Sequence, residues 1–127
     1  MAPVEIPDEV LEFLARRIDS VPHLEALLLF FESPGTVWTA GEIAARVYVS
    51  RDTAREILGD LARNGFIAPQ PHEGYCYRRD WDEAQLMPQV ADNYRKHLVY
   101  VAELIHAKGT PSAVVEFARA FKFTKKE

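Results

Sequence analysis

The sequence has few of the features that mark secreted, membrane-bound or disulfide-stabilised proteins. It contains a single cysteine among 127 residues, so no intramolecular disulfide can form, and we expect a reducing compartment. The longest apolar run, residues 26–31, is too short to cross a bilayer. The first helical stretch is acidic and has no basic start before an apolar run, unlike a signal peptide. These absences predict a cytoplasmic protein with no membrane partner.

The residue patterns of common enzymes and cofactor sites are also missing. The sequence has no phosphate-binding glycine loop, no nucleophile elbow and no suggestive pair of carboxylates. The spacings of His72, Cys76, His97 and His106 fit no compact metal site. Cys76 is more typical of a small apolar filler than of a redox-sensing thiol, although the sequence leaves both open. We therefore expect no enzymatic activity, no cofactor and no metal.

A basic excess, the usual first sign of a nucleic-acid-binding domain, is lacking as well. The formal net charge is −4. Residues 1–38 carry two basic and seven acidic side chains, residues 39–81 carry six of each, and residues 82–127 carry seven basic and six acidic. At physiological salt the screening length is about 8 Å, so a distant acidic helix would not cancel a local cluster of arginines.

The most informative stretch, residues 39–67, predicts two helices joined by a tight turn. Thr39 and Glu42 have the spacing of a capping box, and Ser50 is a typical N-cap of the second helix. Gly65 ends that helix in a left-handed cap, and two short strands follow around a turn that contains a glycine. The predicted core residues of the second helix are Ala54, Ile57, Leu58 and Leu61. This order of elements is typical of a helix-turn-helix followed by a β-hairpin wing.

We predict a mostly α fold, a winged helix-turn-helix with a two- to three-stranded wing sheet and a C-terminal helical dimerisation arm. Residues 1–81 are assigned to the winged domain and residues 82–127 to the dimerisation segment. One long helix is expected over residues 83–108, because six apolar residues repeat there at alternating spacings of four and three. The residues predicted to form the dimer contact are Met87, Tyr94, Leu98, Val101 and Ile105, with Phe117 and Phe121 on a shorter helix.

The stretch from residue 50 to residue 67 resembles the recognition helix and following strand of the MarR-like winged-helix regulators. The matching residues are Ser50 at the cap, Thr53 and Arg55 in the first turns, Leu58 and Leu61 inside, and Gly65, Phe66 and Ile67 after the helix. The resemblance covers roughly residues 36–81, and the family's Asp-x-Arg wing signature is replaced by residues 78–82, RRDWD. The end of the chain, from residues 94–96 through residues 117–121 (FARAF), resembles a set of small, poorly characterised bacterial helix-turn-helix proteins that end in a similar segment. Together these resemblances imply a bacterial transcriptional regulator that binds double-stranded DNA.

Seven residues are candidates for contact with DNA. Arg51 and Arg55 lie one turn apart on the exposed face of the second helix, where an arginine can pair with guanine in the major groove. Glu56 and Asp60 lie on the same helix, and their negative charges would repel a DNA phosphate. The remaining candidates are Ser50 and Thr53 at the helix start, His72 at the wing tip, and Arg78 and Arg79 behind the wing, of which only one can face DNA if both lie in a strand.

The sequence therefore predicts a sequence-specific DNA-binding transcriptional regulator that acts as a homodimer. The alternative is a winged-helix module or adaptor that binds protein instead of DNA. A small-molecule effector stays open, and the sequence gives neither the operator, the regulated genes nor the direction of regulation.

Overall fold

A computed structural model describes residues 6–82 and 85–107 of the chain. Within these residues the protein is mostly α-helical and has one small three-stranded antiparallel sheet, as the sequence predicts. In chain order the elements are α1 (Asp8–Arg17), α2 (Val21–Glu32), β1 (Trp38–Thr39), α3 (Ala40–Val47), α4 (Arg51–Arg63), β2 (Ile67–Gln70), β3 (Gly74–Tyr77), a 3-10 helix (Arg79–Trp81), α5 (Leu86–Lys96) and α6 (Leu98–His106). No helix of this described part combines the length and the apolar character needed to span a membrane.

The described residues divide into two compact units. One consists of residues 6–21 and 85–107 and contains α1, α5 and α6. The other consists of residues 22–82 and contains nearly all of α2, the helices α3 and α4, and the sheet.

In the first unit, α1 is the element on which α5 and α6 both pack. The helix begins directly after Pro7, whose carbonyl accepts a hydrogen bond from the Val10 amide at 3.0 Å. Its buried side chains are those expected from helical spacing, namely Val10, Leu11, Phe13 and Leu14, with Ile18 following the helix. The amphipathic pattern of this segment therefore corresponds to the buried face of α1.

The single helix predicted over residues 83–108 is wrong, because the chain forms two helices that meet at His97, with φ −131° and ψ 47°. Helix α5 begins at Leu86. In a helix that started at residue 83, the ring of Pro88 would clash with a carbonyl of the preceding turn. In a helix that starts at Leu86, Pro88 lies in the first turn, where its missing N–H removes no intrahelical hydrogen bond. A straight helix over residues 86–106 would be about 31 Å long and would extend past α1, which is about 15 Å long. The break lets apolar side chains of both halves pack on α1.

In the second unit the sheet has the order β1-β3-β2, so the last strand lies in the middle. Residues 67–70 pair with residues 77–74, and Trp38 and Thr39 pair with Tyr75 and Gly74. Strand β2 lies at the edge of the sheet, a position that tolerates Pro69, since proline has no N–H to donate to a second neighbouring strand. A Cβ atom built on the buried Gly74 would overlap Val37 Cγ1, so close approach of β1 requires glycine there.

Aromatic side chains hold the base of the β2–β3 hairpin. The rings of Phe66 and Trp81 lie 4.6 Å apart between centroids, and Tyr77 contacts both Trp81, at 6.5 Å, and Phe31 of α2, at 6.0 Å. All three contacts are edge-to-face, a geometry that contributes about 0.5–1.5 kcal/mol per pair beyond area burial. The hairpin is thereby fixed to α2 and to the end of α4, and its turn is left free to project.

Candidate nucleic-acid interface

Helix α3 is fixed at both ends by hydrogen bonds that the sequence pattern anticipates. At its start the Glu42 amide donates to Thr39 Oγ1 at 3.4 Å and the Thr39 amide donates to Glu42 Oε1 at 2.9 Å, which confirms the capping box. At its end Tyr48 adopts a left-handed conformation with φ 60°, and the amides of Tyr48 and Val49 both donate to the Ala44 carbonyl. The chain therefore passes from α3 to α4 in three residues.

Helix α4 starts at the predicted cap. The Thr53 amide donates to Ser50 Oγ at 3.0 Å, and the Ser50 hydroxyl donates to Thr53 Oγ1 at 2.9 Å. The four predicted core residues, Ala54, Ile57, Leu58 and Leu61, are all buried. Gly65 has φ 81°, and the Phe66 amide donates to the Leu61 carbonyl at 3.1 Å, which confirms the left-handed stop. The orientation of the exposed face of α4 follows from this packing.

Two arginines lie on that exposed face and have different surroundings. Arg51 extends along the start of α3, since a Cβ atom built on Gly41 would lie 3.1 Å from its Nη2 atom. Arg55 donates from Nη1 to Asp52 Oδ1 at 2.8 Å, and the two side chains are 61% and 90% exposed. An ion pair this exposed contributes roughly 0–1 kcal/mol, so Arg55 can exchange Asp52 for a phosphate at little cost.

A groove of about 450 Å³ opens between α4, the start of α3 and the hairpin turn. It brings together three of the predicted contact residues: Arg51, Arg55 and His72. His72 and Glu73 both have positive φ, 62° and 60°, and lie in the turn that joins β2 to β3. The residues that line the groove are Thr39, Ala40 and Gly41 from α3 and its cap, Arg51, Arg55 and Leu58 from α4, and His72, Glu73 and Tyr75 from the hairpin.

The acidic residue Asp60, which the sequence places in opposition to a phosphate, is engaged within the protein. Its Oδ2 atom lies 2.8 Å from Nε2 of His23 in α2, and its Oδ1 atom accepts a hydrogen bond from Arg63. The Asp60 side chain is only 27% exposed. The Asp60 carboxylate is therefore paired within the protein, whereas Asp52 and Glu73 remain exposed beside the groove.

Arg78 and Arg79 lie at the base of the hairpin, away from its turn. Strand β3 spans four residues, or about 13 Å, between the turn and Arg78. Arg78 donates from Nε and Nη2 to the two carboxylate oxygens of Asp80, at 3.3 and 2.8 Å, and this hydrogen bonding holds the pKa of Asp80 below its usual value. Arg79 begins the 3-10 helix and is exposed. Both follow the strand, so the expected alternation of neighbouring strand residues does not apply to them.

The predicted dimerisation residues divide into four groups. Met87, Val101 and Ile105 are buried within the chain, where α5 and α6 pack against α1, and Tyr94 is half-buried. Leu98 is 52% exposed and is followed by Val99, which is 69% exposed. Phe117 and Phe121 lie outside the described residues.

Sequence reasoning did not identify several residues of this surface. Glu73 and Tyr75 reach the groove only because the hairpin folds back toward α3. Tyr48, in the turn between α3 and α4, is 92% exposed and is not among the residues that line the groove. Cys76 is half-buried, with Sγ 3.7 Å from the Pro34 carbonyl oxygen, and lies outside the groove. The placements of Glu73, Tyr75 and Cys76 depend on contacts between residues far apart in the chain, for which no local pattern exists.

Comparison with known proteins returns no relatives. No protein-family model matches the chain, and neither a curated protein nor a solved structure does so.

Proposed function

We propose that the chain is a winged-helix, MarR-like transcriptional regulator that binds double-stranded DNA as a homodimer. In this proposal α3 and α4 form the helix-turn-helix, α4 enters the major groove, and the β2–β3 hairpin is the wing. The observation that carries it is the groove, in which Arg51 and Arg55 of α4 meet His72 of the hairpin turn. A winged helix uses these same two elements, a helix and a hairpin tip, on one face.

The electrostatics support a small, local contact with DNA. Arg55 lies in an ion pair that solvent already weakens, and Asp60 is turned toward His23 and Arg63. Arg51 and Arg55 are one helical turn apart, which suits contact with neighbouring bases or phosphates. Arg78 and Arg79 enter this proposal as contacts with a more distant part of the DNA backbone, since they lie at the other end of the hairpin.

The homodimer is proposed because one arginine pair is a small footprint for specific binding, and a second copy doubles it. Two recognition helices about 34 Å apart would match successive major grooves and a palindromic site. Among the predicted contact residues that the structure describes, Leu98 is the one that is exposed. Sedimentation equilibrium at increasing protein concentration tests this part, and a monomer at concentrations that saturate DNA would contradict it.

One observation favours an alternative function, a protein-interaction module. The groove carries Glu73, and Asp52 lies beside Arg55, so its charges nearly balance. A surface of mixed sign suits a protein partner at least as well as a polyanion. The two functions differ in their dependence on salt, because DNA binding requires release of counterions whereas a mixed surface does not.

Fluorescence anisotropy with duplexes selected from a random pool provides the test, with salt varied from 50 to 200 mM. Arg51→Ala combined with Arg55→Ala removes two positive charges and should reduce the slope of log affinity against log salt by roughly 1.8. Arg16→Ala, a 75% exposed arginine of α1, is the matched control and should leave affinity unchanged. Unchanged affinity of the double variant would overturn the assignment of α4 as the recognition helix.

A further inference from the structure

We infer that Tyr48 is a further DNA contact of the proposed regulator, with its hydroxyl donating a hydrogen bond to a backbone phosphate at the start of α4. This inference rests on the proposed function and adds to it a residue that neither the capping pattern nor the charge pattern indicates. It also assigns that residue a defined chemistry, a neutral donor to a phosphate oxygen.

The first observation is that the Tyr48 ring does not contribute to the core. Its side chain is 92% exposed, more than any other large apolar side chain in the described part of the chain. The neighbouring Val47 is buried and Val49 is half-buried, so the turn is packed through its other residues. An aromatic ring this exposed adds almost no burial free energy.

The second observation is that Tyr48 occupies a backbone conformation suited to glycine or asparagine. Its φ is 60° and its ψ is 49°, and the geometry is fixed by the hydrogen bonds to the Ala44 carbonyl that close α3. A side chain with a Cβ is disfavoured in this region of backbone space. The tyrosine therefore lowers stability at a position where its ring gains nothing from the fold, and the same geometry points the ring outward.

The third observation is position. Tyr48 is two residues before Ser50, the N-cap of α4, and three before Arg51. In helix-turn-helix proteins the N-terminal end of the second helix is the part that reaches the base edges, and the strand backbones run past on both sides. A phenol at this end has the reach and the donor to contact a phosphate, and tyrosine is among the side chains that make such contacts.

A neutral donor predicts a distinctive thermodynamic signature. Loss of the hydroxyl should weaken binding by about 2- to 10-fold, the ordinary net value of one hydrogen bond. Because no positive charge is lost, the salt dependence of binding should not change, in contrast to the loss of an arginine. Because phosphates carry no sequence information, specific and non-specific duplexes should weaken equally.

Two variants separate the hydroxyl from the backbone strain. Tyr48→Phe retains the ring and the backbone cost and removes only the donor. Tyr48→Asn removes ring and hydroxyl but relieves the left-handed backbone, so it should raise the midpoint of thermal unfolding by roughly 2–5 °C while binding DNA no better than Tyr48→Phe. The matched control is Gln85→Asn, since Gln85 is also exposed and has φ 57° but precedes α5. It should gain thermal stability without any change in affinity.

The experiment is an anisotropy titration of wild type and the three variants against a selected and a scrambled duplex at several salt concentrations. The inference requires weaker binding of Tyr48→Phe to both duplexes at an unchanged salt slope. It is overturned if Tyr48→Phe binds as the wild type does, whatever Tyr48→Asn does, or if only the selected duplex is affected, which would indicate a base contact. If the wild type itself fails to bind DNA at 50 mM salt, the proposed function fails first, and the inference fails with it. If Tyr48→Phe changes only self-association, measured by sedimentation, the ring belongs to a protein contact and the inference is overturned.

Discussion

The position of the hairpin against β1 depends on one glycine, and replacing it tests the architecture of the candidate interface. Gly74 is buried, pairs with Thr39 across the sheet, and has no room for a side chain, because a Cβ atom would lie within 3.0 Å of Val37 Cγ1. The same position begins β3, directly after the projecting turn. Gly74→Ala therefore forces Val37 or the strand to move.

The size of the effect follows from which group gives way. Inserting a methyl into a packed site costs roughly 1–3 kcal/mol. Val37 is a 46% exposed side chain on a loop, so part of the strain can be relieved toward solvent, and we expect the lower half of that range, about 1–2 kcal/mol. Val37→Ala alone should cost less than about 1 kcal/mol, because only part of its apolar surface is buried.

Urea denaturation of the two single variants and of Gly74→Ala combined with Val37→Ala provides the measurement. Removing the Val37 methyl groups makes room for the new methyl group, so the double variant should recover about 1 kcal/mol relative to the sum of the single changes. Gly35→Ala is the matched control, since a Cβ there would meet nothing within 4 Å. It should be neutral or slightly stabilising.

Two results would refute the reasoning. If Gly74→Ala were as stable as the wild type, β1 would not approach the hairpin as closely as described. If the double variant showed no recovery, the clash would lie with a group other than Val37. Under the proposed function, Gly74→Ala should also weaken DNA binding under conditions where the variant is still fully folded, because it displaces the turn that carries His72.

The remaining predictions concern charge and pH. Under the proposed function, Asp52→Asn should remove a repelling carboxylate and the competing partner of Arg55, so the affinity for DNA should rise at low salt; an unchanged affinity in anisotropy titrations would contradict the role of Arg55. Burial, reinforced by the negative charge of Asp82, raises the pKa of Tyr77 to about 12. The folded protein therefore binds the phenolic proton of Tyr77 more tightly than the unfolded chain does. The stability that this difference contributes is complete below pH 10 and is lost as the pH rises toward 12. Urea midpoints measured from pH 9 to 11.5 should fall less steeply in Tyr77→Phe, and an identical fall would contradict the assignment.

The local elements of this protein could be predicted from the sequence because their causes lie within a few residues of one another. The capping box of Thr39 and Glu42, the Ser50 cap and the Gly65 stop each depend on backbone groups three or four residues away. The buried stripes of α1 and α4 follow from helical periodicity, which places the apolar residues on one side whatever they pack against. These local patterns were enough to predict the mostly helical fold class and the exposed face of α4.

Only the tertiary structure decided which charges and apolar residues remain available. In the sequence Asp60 looks like an exposed acid, but in the fold its carboxylate forms a hydrogen bond with the imidazole of His23, 37 residues earlier. The heptad-like repeat of residues 87–105 looks like a dimer seam, yet three of its members are buried within the chain, in the unit where α5 and α6 pack on α1 and the helix is interrupted at His97. Periodicity identifies an apolar face but carries no information about what covers it, because a distant segment of the same chain and a second copy offer the same apolar contact. The groove likewise could not be predicted from local patterns, since it exists only where α3, α4 and the hairpin turn meet.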